Sequence, residues 1–156
     1  MCEKVHVYIE IEKGSNIKYE FDKEQNKLLI DRILPYPFFY PYAYGFIPNT
    51  LAKDGDDLDI LVITDKHLDN DAFYDAYIVG VLVMEDEKGM DEKIICVLEE
   101  DITKIKNITD LDEQTLDKIH AFFTNYKKNT YGKWSNVTGF ENRDFAITLY
   151  NKSIIQ

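Results

Sequence analysis

Cysteine is scarce in this chain, which contains only Cys2 and Cys96 among 156 residues. Two cysteines are too few for a disulfide framework, and a chain of this length can bury roughly 70% of the surface that it exposes when unfolded. Its core therefore needs no covalent cross-link. The first residues also lack the basic start and the apolar run of a secretion signal. We expect a single domain over residues 1–156, located in a reducing cytoplasm.

Long apolar runs and a positive net charge are absent as well. The most apolar segments, AYIVGVLVM and DILVIT, have the length of strands and fall short of the ~20 residues that a membrane helix requires. The formal charge is −11, from 29 acidic and 18 basic side chains, and this excess repels nucleic acids and anionic lipids. The sequence indicates a soluble protein that binds neither membranes nor nucleic acids. An anionic substrate would require a local basic pocket or metal ions.

Alternation of apolar and polar residues predicts strands through much of the first hundred residues. Gly89 suits a hairpin turn between the last two of these strands. Asp86 and Asp91 flank that turn, so their carboxylates can converge. The predicted strands are 5–11, 17–22, 28–34, 58–64, 76–85 and 93–98.

All four prolines lie in the segment PYPFFYPYAYGFIP, residues 35–48. Proline fixes φ and removes a backbone donor, so we expect this segment to be a stiff aromatic loop and neither a helix nor a central strand.

Helical patterns come late in the chain. One is expected from Asp110, whose spacing to Glu113 resembles a capping box, to about Lys128. A second, shorter helix is expected from about Asn142 to Lys152. Many short strands followed by helices favour an α+β domain with a small barrel and helices packed against it.

The stretch DGDDLD, residues 54–59, places four carboxylates within six positions, directly before an apolar strand. Clusters of Asp and Gly are commonly solvated turns, and the cluster alone leaves that alternative open. However, two carboxylates ~5 Å apart repel each other by about 3 kcal/mol at an effective dielectric constant near 20, so several that converge require a cation. Ligand sets made only of oxygen select hard ions such as Mg²⁺, Ca²⁺ or Mn²⁺.

Two other kinds of metal site do not match the sequence. An EF-hand loop counted from Asp54 would place Asp59 at the position of the glycine and Asp65 at that of the glutamate. A zinc site is disfavoured because the three histidines are scattered and the two cysteines lie far apart. The remaining hypothesis is a magnesium-type site formed by carboxylates together with the phosphates of a substrate.

Seven segments occur in the following order: IEI (9–11), IKYEFD (17–22), DR (31–32), FYPYAYGFIP (39–48), DGDDLDILV (54–62), MEDEKGMDEK (84–93) and FFTNYKKNTYGKW (122–134). Together they cover most of the chain and resemble the soluble family I inorganic pyrophosphatases. One departure lies in the acidic signature, where relatives usually have a proline after the second aspartate and this chain has Asp57. The lost rigidity and the added carboxylate can loosen the loop or change its affinity for metal ions.

The resemblance implies a compact five-stranded OB-like β-barrel flanked by helices. It also implies hydrolysis of pyrophosphate to two orthophosphates by in-line attack of a metal-activated water, with Mg²⁺, or with Mn²⁺ or another divalent cation in its place. Relatives of this length are commonly hexamers built of two trimers, so a homohexamer is expected.

The resemblance also implies roles for individual residues, and Asp56 would be the catalytic base. The implied metal ligands are Asp54, Asp59, Asp91, Asp86 and Glu20. The implied ligands of the substrate phosphates are Lys18, Arg32, Tyr44, Lys93, Tyr126 and Lys127. Supporting polar positions of lower rank are Glu10, Tyr40, Glu87 and Lys133.

Two further functions compete with this hypothesis. A Mg²⁺-dependent hydrolase of another phosphoanhydride, such as a nucleotide, would need a pocket for the base. A non-catalytic OB-like module would stack single-stranded nucleic acid on its Tyr and Phe side chains, and the net charge of −11 disfavours it. Phosphate release from pyrophosphate compared with ATP, and salt-dependent binding of an oligonucleotide, would distinguish these functions.

Overall fold

The computed structural model describes residues 2–155, and within that range it contains nine strands and two α-helices. The strands are β1 (Lys4–Ile11), β2 (Ile17–Asp22), β3 (Lys27–Ile33), β4 (Ala43–Ile47), β5 (Leu58–Val62), β6 (Ala72–Asp86), β7 (Gly89–Met90), β8 (Lys93–Val97) and β9 (Ser135–Glu141). The helices are α1 (Glu113–Asn125) and α2 (Arg143–Ser153), and short 3-10 turns span Glu99–Asp101 and Ile108–Asp110.

Five of the strands in residues 2–155 close into a ring. β1 pairs with β4, β4 with β5, β5 with β8 and β8 with β6, and β6 returns to pair with β1. The β5–β8 pair is parallel, and the other four pairs are antiparallel. The 15 residues of β6 are enough to pair with β7 and β9 as well. This ring with its two helices confirms the expected OB-like α+β barrel.

Strand β4 lies inside the proline-rich segment, where the sequence predicted a loop. Because Ala43–Ile47 pairs with β1 on one side and β5 on the other, the expectation that 35–48 contains no central strand was wrong. The prolines flank the strand and do not interrupt it, so the ladder loses no donor. Gly45 permits the close pairing with β1, because a Cβ atom at that position would overlap the backbone oxygen of Tyr8.

The start of the first helix also differs from the prediction. Helix α1 begins at Glu113, and its N-cap is Asp112, whose side chain accepts a hydrogen bond from the Thr115 N–H. Asp110 was predicted to cap this helix, but it forms a capping box with Asn107 around the preceding 3-10 turn. The acidic residue two positions closer to the helix therefore takes the capping role.

Strand β9 was not predicted from the sequence. Its residues, SNVTGFE, alternate weakly and include a glycine, and the strand is partly exposed where it pairs with β6. The other predicted strands agree with the structure within a few residues at each end, although β6 begins at Ala72. The second helix agrees as well, with Asn142 as its N-cap. No helix in residues 2–155 is long and apolar enough to cross a membrane.

Two buried clusters connect the barrel to the helices. One joins alternate strand residues, such as Val7 and Ile60, to Ala146 of α2. The other is rich in aromatic side chains and joins the β4 region to α1. Each large aromatic side chain buried in this way stabilises the fold by about 2–3 kcal/mol. The aromatic members of this second cluster are Tyr40, Tyr42, Tyr44, Phe122, Phe123 and Tyr126.

Strands β2 and β3 form a separate two-stranded sheet, which we call the hairpin (residues 17–33). Its register shifts between Lys18 and Tyr19, and Lys18 lies opposite Arg32. A hydrogen bond of 2.8 Å from the Phe21 N–H to the Glu10 carboxyl group links the hairpin to β1. The hairpin is thus attached to the barrel but is not part of its ring.

Candidate active site

A cavity of about 230 Å³ is lined by the hairpin, the loop before β5, the turn between β6 and β7, and the residue pair that follows α1. The structure brings to this cavity every residue for which the sequence predicted a catalytic, metal-binding or substrate-binding role. These residues are Lys18, Glu20, Arg32, Tyr44, Asp54, Asp56, Asp59, Asp86, Asp91, Lys93, Tyr126 and Lys127. Their individual roles stay predictions.

The loop before β5, residues 52–57, is folded by its own hydrogen bonds, and we call it the acidic loop. The Ala52 N–H donates to the Asp56 carbonyl (2.7 Å), and the Asp56 N–H donates to the Asp54 carboxylate (3.1 Å). Gly55 has a φ of +90°, a backbone conformation that residues other than glycine rarely adopt. These bonds hold Asp54 and Asp56 beside the start of β5.

Three carboxylates converge at the end of the barrel. Asp54, Asp59 and Asp91 each place one oxygen within 4.8 Å of the other two. The parallel pairing of β5 with β8 sets Asp59 opposite Lys93, which brings the preceding Asp91 close. Burial raises the pKa of Asp54, and the neighbouring charge of Asp91 raises it further. An oxygen-only set at these distances fits a hard divalent cation.

The Lys93 ammonium group lies among these carboxylates. Its side chain is 2% exposed, and Nζ donates to Asp59 (2.8 Å), to Asp91 (2.8 Å) and to the Tyr44 hydroxyl (2.7 Å). Burial alone would lower the pKa of Lys93, but Asp59, Tyr44 and Asp91 together raise it well above its ordinary value. Lys93 is therefore charged, and it offsets part of the repulsion between the two acids.

Asp86 belongs to a second acid–base group, at the turn between β6 and β7. It lies opposite Gly89 across this two-residue turn, and its carboxylate accepts bonds from the Lys88 N–H (2.9 Å) and the Lys127 ammonium (2.9 Å). Asp86 and Asp91 line the same cavity, as the turn suggested, but Asp86 is not one of the three carboxylates that converge. The turn therefore supplies a separate acidic position.

The hairpin supplies basic groups to the cavity. The Lys18 ammonium lies 2.8 Å from the Asp31 carboxylate; burial would raise the pKa of Asp31, but Lys18 and Arg32 lower it overall. The Arg32 guanidinium donates to the Thr130 hydroxyl (3.1 Å), and its buried Nε has no hydrogen-bond partner within residues 2–155. Buried donors normally have partners, so an unpaired guanidinium N–H in this wall suits an anion. Glu20 is exposed on the same hairpin.

Three of the four supporting positions also line the cavity. Glu10 is buried, and this burial raises its pKa to about 8. Glu87 lies between two basic groups, 3.5 Å from Lys127 and 3.6 Å from Lys133. Tyr40 does not line the cavity; its ring packs 5.3 Å from that of Tyr44 in the core beneath.

The sequence did not point to several other residues of the cavity. Lys23, Asp31 and Lys88 line it, and each comes from a polar turn or a strand end that looked like ordinary surface. The signal for Asp31 was its place in the DR pair beside Arg32. Lys23 and Lys88 carried no periodic or spacing signal, because only folding brings their turns to the site.

The cavity combines both signs of charge. Within the described residues, ten carboxyl groups and seven basic groups line it. The excess of carboxylates repels a polyanion, whereas divalent cations bound at the converging acids would reverse the local sign. The arrangement thus suits a small anion that binds together with metal ions.

Comparisons with known proteins agree with this arrangement. A family model described as inorganic pyrophosphatase matches residues 7–156. An inorganic pyrophosphatase from Helicobacter pylori is 49% identical over 152 residues, which cover 95% of this chain and 88% of that protein. One from Campylobacter jejuni is 44% identical over 155 residues, covering 97% and 90%. A solved structure of a Helicobacter pylori inorganic pyrophosphatase superposes with a TM-score of 0.94 at 47% identity, covering 97% of this chain and 92% of that one.

Proposed function

The chain belongs to the inorganic pyrophosphatase family, whose members hydrolyse pyrophosphate to phosphate with divalent metal ions, and from this premise we propose how its residues carry out that reaction. The observation that carries the proposal is the convergence of three carboxylates within 4.8 Å in a cavity whose other side chains include seven basic groups. This arrangement supports a site for metal ions and pyrophosphate together.

We assign Mg²⁺ to the three converging acids, Asp54, Asp59 and Asp91. Their oxygen-only ligand set supports Mg²⁺, and it would also accept Mn²⁺. We assign Glu20 and Asp86, on two other walls of the cavity, to cations that enter with the substrate. When bound, such cations neutralise phosphate charge and lower the pKa of a water molecule.

Asp56 is the residue to which we assign the proton transfer. It is exposed in the acidic loop, and its N–H is bonded to Asp54, so its backbone is fixed relative to the metal ligands. Asp56 accepts a proton from the attacking water as the oxygen forms a bond to one phosphorus. The bond from that phosphorus to the bridging oxygen breaks in line, and orthophosphate leaves without a covalent enzyme intermediate.

Basic and phenolic groups hold the two phosphates. Burial raises the pKa of Tyr44 and of Tyr126, so both hydroxyl groups stay protonated and can donate hydrogen bonds. Preorganised donors of this kind stabilise the charge that develops on the leaving phosphate. The proposed phosphate ligands are Lys18, Arg32, Tyr44, Lys93, Tyr126 and Lys127.

Orthophosphate release from pyrophosphate tests the proposal. We expect rapid release with Mg²⁺, none with excess chelator, and a loss in kcat of roughly 10²–10⁴-fold in Asp56→Asn, because a general base contributes about that much. Asp65→Asn, a fully exposed aspartate outside the cavity, is the matched control and should keep the parent rate. Comparable release from ATP would instead support a nucleotide hydrolase, and full activity of Asp56→Asn would exclude Asp56 as the base.

We also propose that the 156 residues form one domain and that the chain assembles as a cytoplasmic homohexamer. Several large apolar side chains are exposed, among them Tyr36, Phe73 and Phe145, and the interfaces of homo-oligomers are rich in apolar surface of this kind. Both cysteines are free, as expected in a reducing compartment. Sedimentation should give six times the 18.3 kDa mass of one chain; a monomeric mass would contradict the assembly.

A further inference from the structure

Asp57, the residue that departs from the family pattern, forms an ion pair with Lys23. The Lys23 Nζ and the Asp57 Oδ1 are 2.6 Å apart. The Asp57 side chain is 12% exposed, whereas that of Lys23 is 73% exposed, so the pair lies at the boundary between the cavity and solvent. Both residues line the cavity.

This ion pair joins two segments that barrel pairing does not hold together. Lys23 lies in the turn of the hairpin, which forms its own sheet outside the ring. Asp57 ends the acidic loop, directly before β5. The hairpin carries Lys18 and Arg32, and the acidic loop carries Asp54, so the pair connects basic groups on one wall with a metal ligand on the other.

We propose that Lys23 and Asp57 are positioning residues whose ion pair, which we call the clasp, sets the spacing between the hairpin and the acidic loop. The clasp rests on the proposed function, because its purpose is to keep the phosphate ligands of the hairpin in register with the metal ligands of the loop. Binding groups that are already held at the right spacing lose less conformational freedom when the substrate binds, so the clasp should favour substrate binding.

The exposure of Lys23 separates this role from a role in stability. Ion pairs with an exposed partner stabilise folded proteins little, because water and salt screen them. Breaking the clasp should therefore leave the melting temperature almost unchanged, while it loosens the two segments relative to each other and weakens substrate binding.

Hydrogen exchange in the metal-free protein tests the clasp without any turnover. We expect Lys23→Gln and Asp57→Asn each to speed amide exchange in both the acidic loop and the hairpin turn, and the double variant to exchange no faster than the faster single one. Lys88→Gln removes the same charge from the same cavity, from a lysine that forms no ion pair within residues 2–155, and should leave exchange in both segments unchanged. Unchanged or strictly additive exchange in the clasp variants would overturn the proposal.

Steady-state kinetics with pyrophosphate and Mg²⁺ then separates an indirect from a direct role of Lys23. We expect Lys23→Gln to raise KM about fivefold with kcat within about twofold, in line with a weak ion pair, and Lys23→Arg to retain the parent KM. In the Asp57→Asn background, the same Lys23→Gln change should alter KM less than twofold. A full fivefold effect in that background would mean that Lys23 contacts the substrate itself, which contradicts the clasp.

The two experiments fail separately. If the parent protein released no phosphate from pyrophosphate, the proposed function would be wrong. Amide hydrogen exchange in the metal-free variants would still show whether Lys23 and Asp57 act as a unit.

Discussion

Two walls of the cavity carry similar charged groups but hold them in different ways: the barrel wall, which includes Asp59, Asp91 and Lys93, and the hairpin wall, formed by residues 17–33. On the barrel wall, Lys93 and Asp91 have side chains that are 2% and 7% exposed, and the Lys93 Nζ lies 5.2 Å from the centre of the Tyr44 ring. On the hairpin wall, Lys18 and Asp31 are 22% and 42% exposed and lie on a separate sheet. A charge removed from the barrel wall should therefore affect folding as well as binding, whereas one removed from the hairpin wall should affect binding alone.

Asp59→Asn tests the barrel wall at its centre and should have the largest effect. It removes one of the three converging carboxylates, so we expect Mg²⁺ binding, measured by calorimetry without substrate, to weaken at least tenfold and turnover to fall on the order of 10³-fold. Asp65→Asn is the control for both measurements. Retained turnover in Asp59→Asn would remove Asp59 from the metal site.

Lys93→Met should show that the barrel wall couples charge to stability. Removing the ammonium leaves Asp59 and Asp91 unpaired, and breaking a buried pair costs about 3–5 kcal/mol, or on the order of 10 °C in melting temperature for a chain of this size. The measurement is thermal unfolding in chelator. Added Mg²⁺ should reduce the difference in melting temperature between Lys93→Met and the parent protein, because a bound cation can replace the lost positive charge.

Lys88→Met provides the comparison for this experiment, since it removes an exposed lysine from the same cavity. It should unfold within about 1–2 °C of the parent protein, as surface substitutions usually do. A similar large loss in both variants, or none in Lys93→Met, would contradict the assigned difference between buried and exposed charges.

Arg32→Ala tests the hairpin wall and should change binding without changing stability. We expect KM for pyrophosphate to rise roughly 10–100-fold, because a charge-assisted contact contributes about 1.5–3 kcal/mol. Melting should shift by less than about 2 °C. Arg143→Ala is the matched control, since its Nε is also buried without a partner in residues 2–155 but lies outside the cavity. A large loss of melting temperature in Arg32→Ala would show a structural role instead.

Glu10→Gln should change stability only above the pH at which an ordinary glutamate ionises. Burial raises the pKa of Glu10 from 4.5 to about 8, so the folded protein keeps this proton over a range in which the unfolded chain releases it. The contribution of Glu10 to stability is full below pH 4.5 and is lost as the pH rises to about 8. Metal-free parent and variant should therefore melt alike near pH 5, and the variant should gain several degrees by pH 8.5. Parallel melting curves across this range would contradict the shift.

The residues of the site could be predicted because the sequence patterns that carry them are local and ordered. The acidic signature places Asp54, Asp56 and Asp59 within six positions, and the strand alternation places Lys18 and Glu20 on one face. The resemblance to a family then indicated which residues from distant segments of the chain share the site. Periodicity alone reached a barrel with helices but did not assign strand order.

Other features depend on contacts between distant residues, which no local pattern encodes. β4 was missed because four prolines signalled a loop, although the strand fits between them. β9 is held by its pairing with β6 and has little strand character of its own. The pair of Lys23 with Asp57 joins positions 34 residues apart, and its two partners looked like ordinary turn charges.

The ammonium of Lys93, which lies between two acids at the end of the barrel, has a consequence for the protein when divalent cations are scarce. This internal positive charge offsets part of the repulsion between the acids, so we expect the site to stay folded when no metal ion is bound. Molecules that lose their divalent cations would stop hydrolysing diphosphate but would remain folded. Adding the cations back would then restore activity without synthesis of new protein.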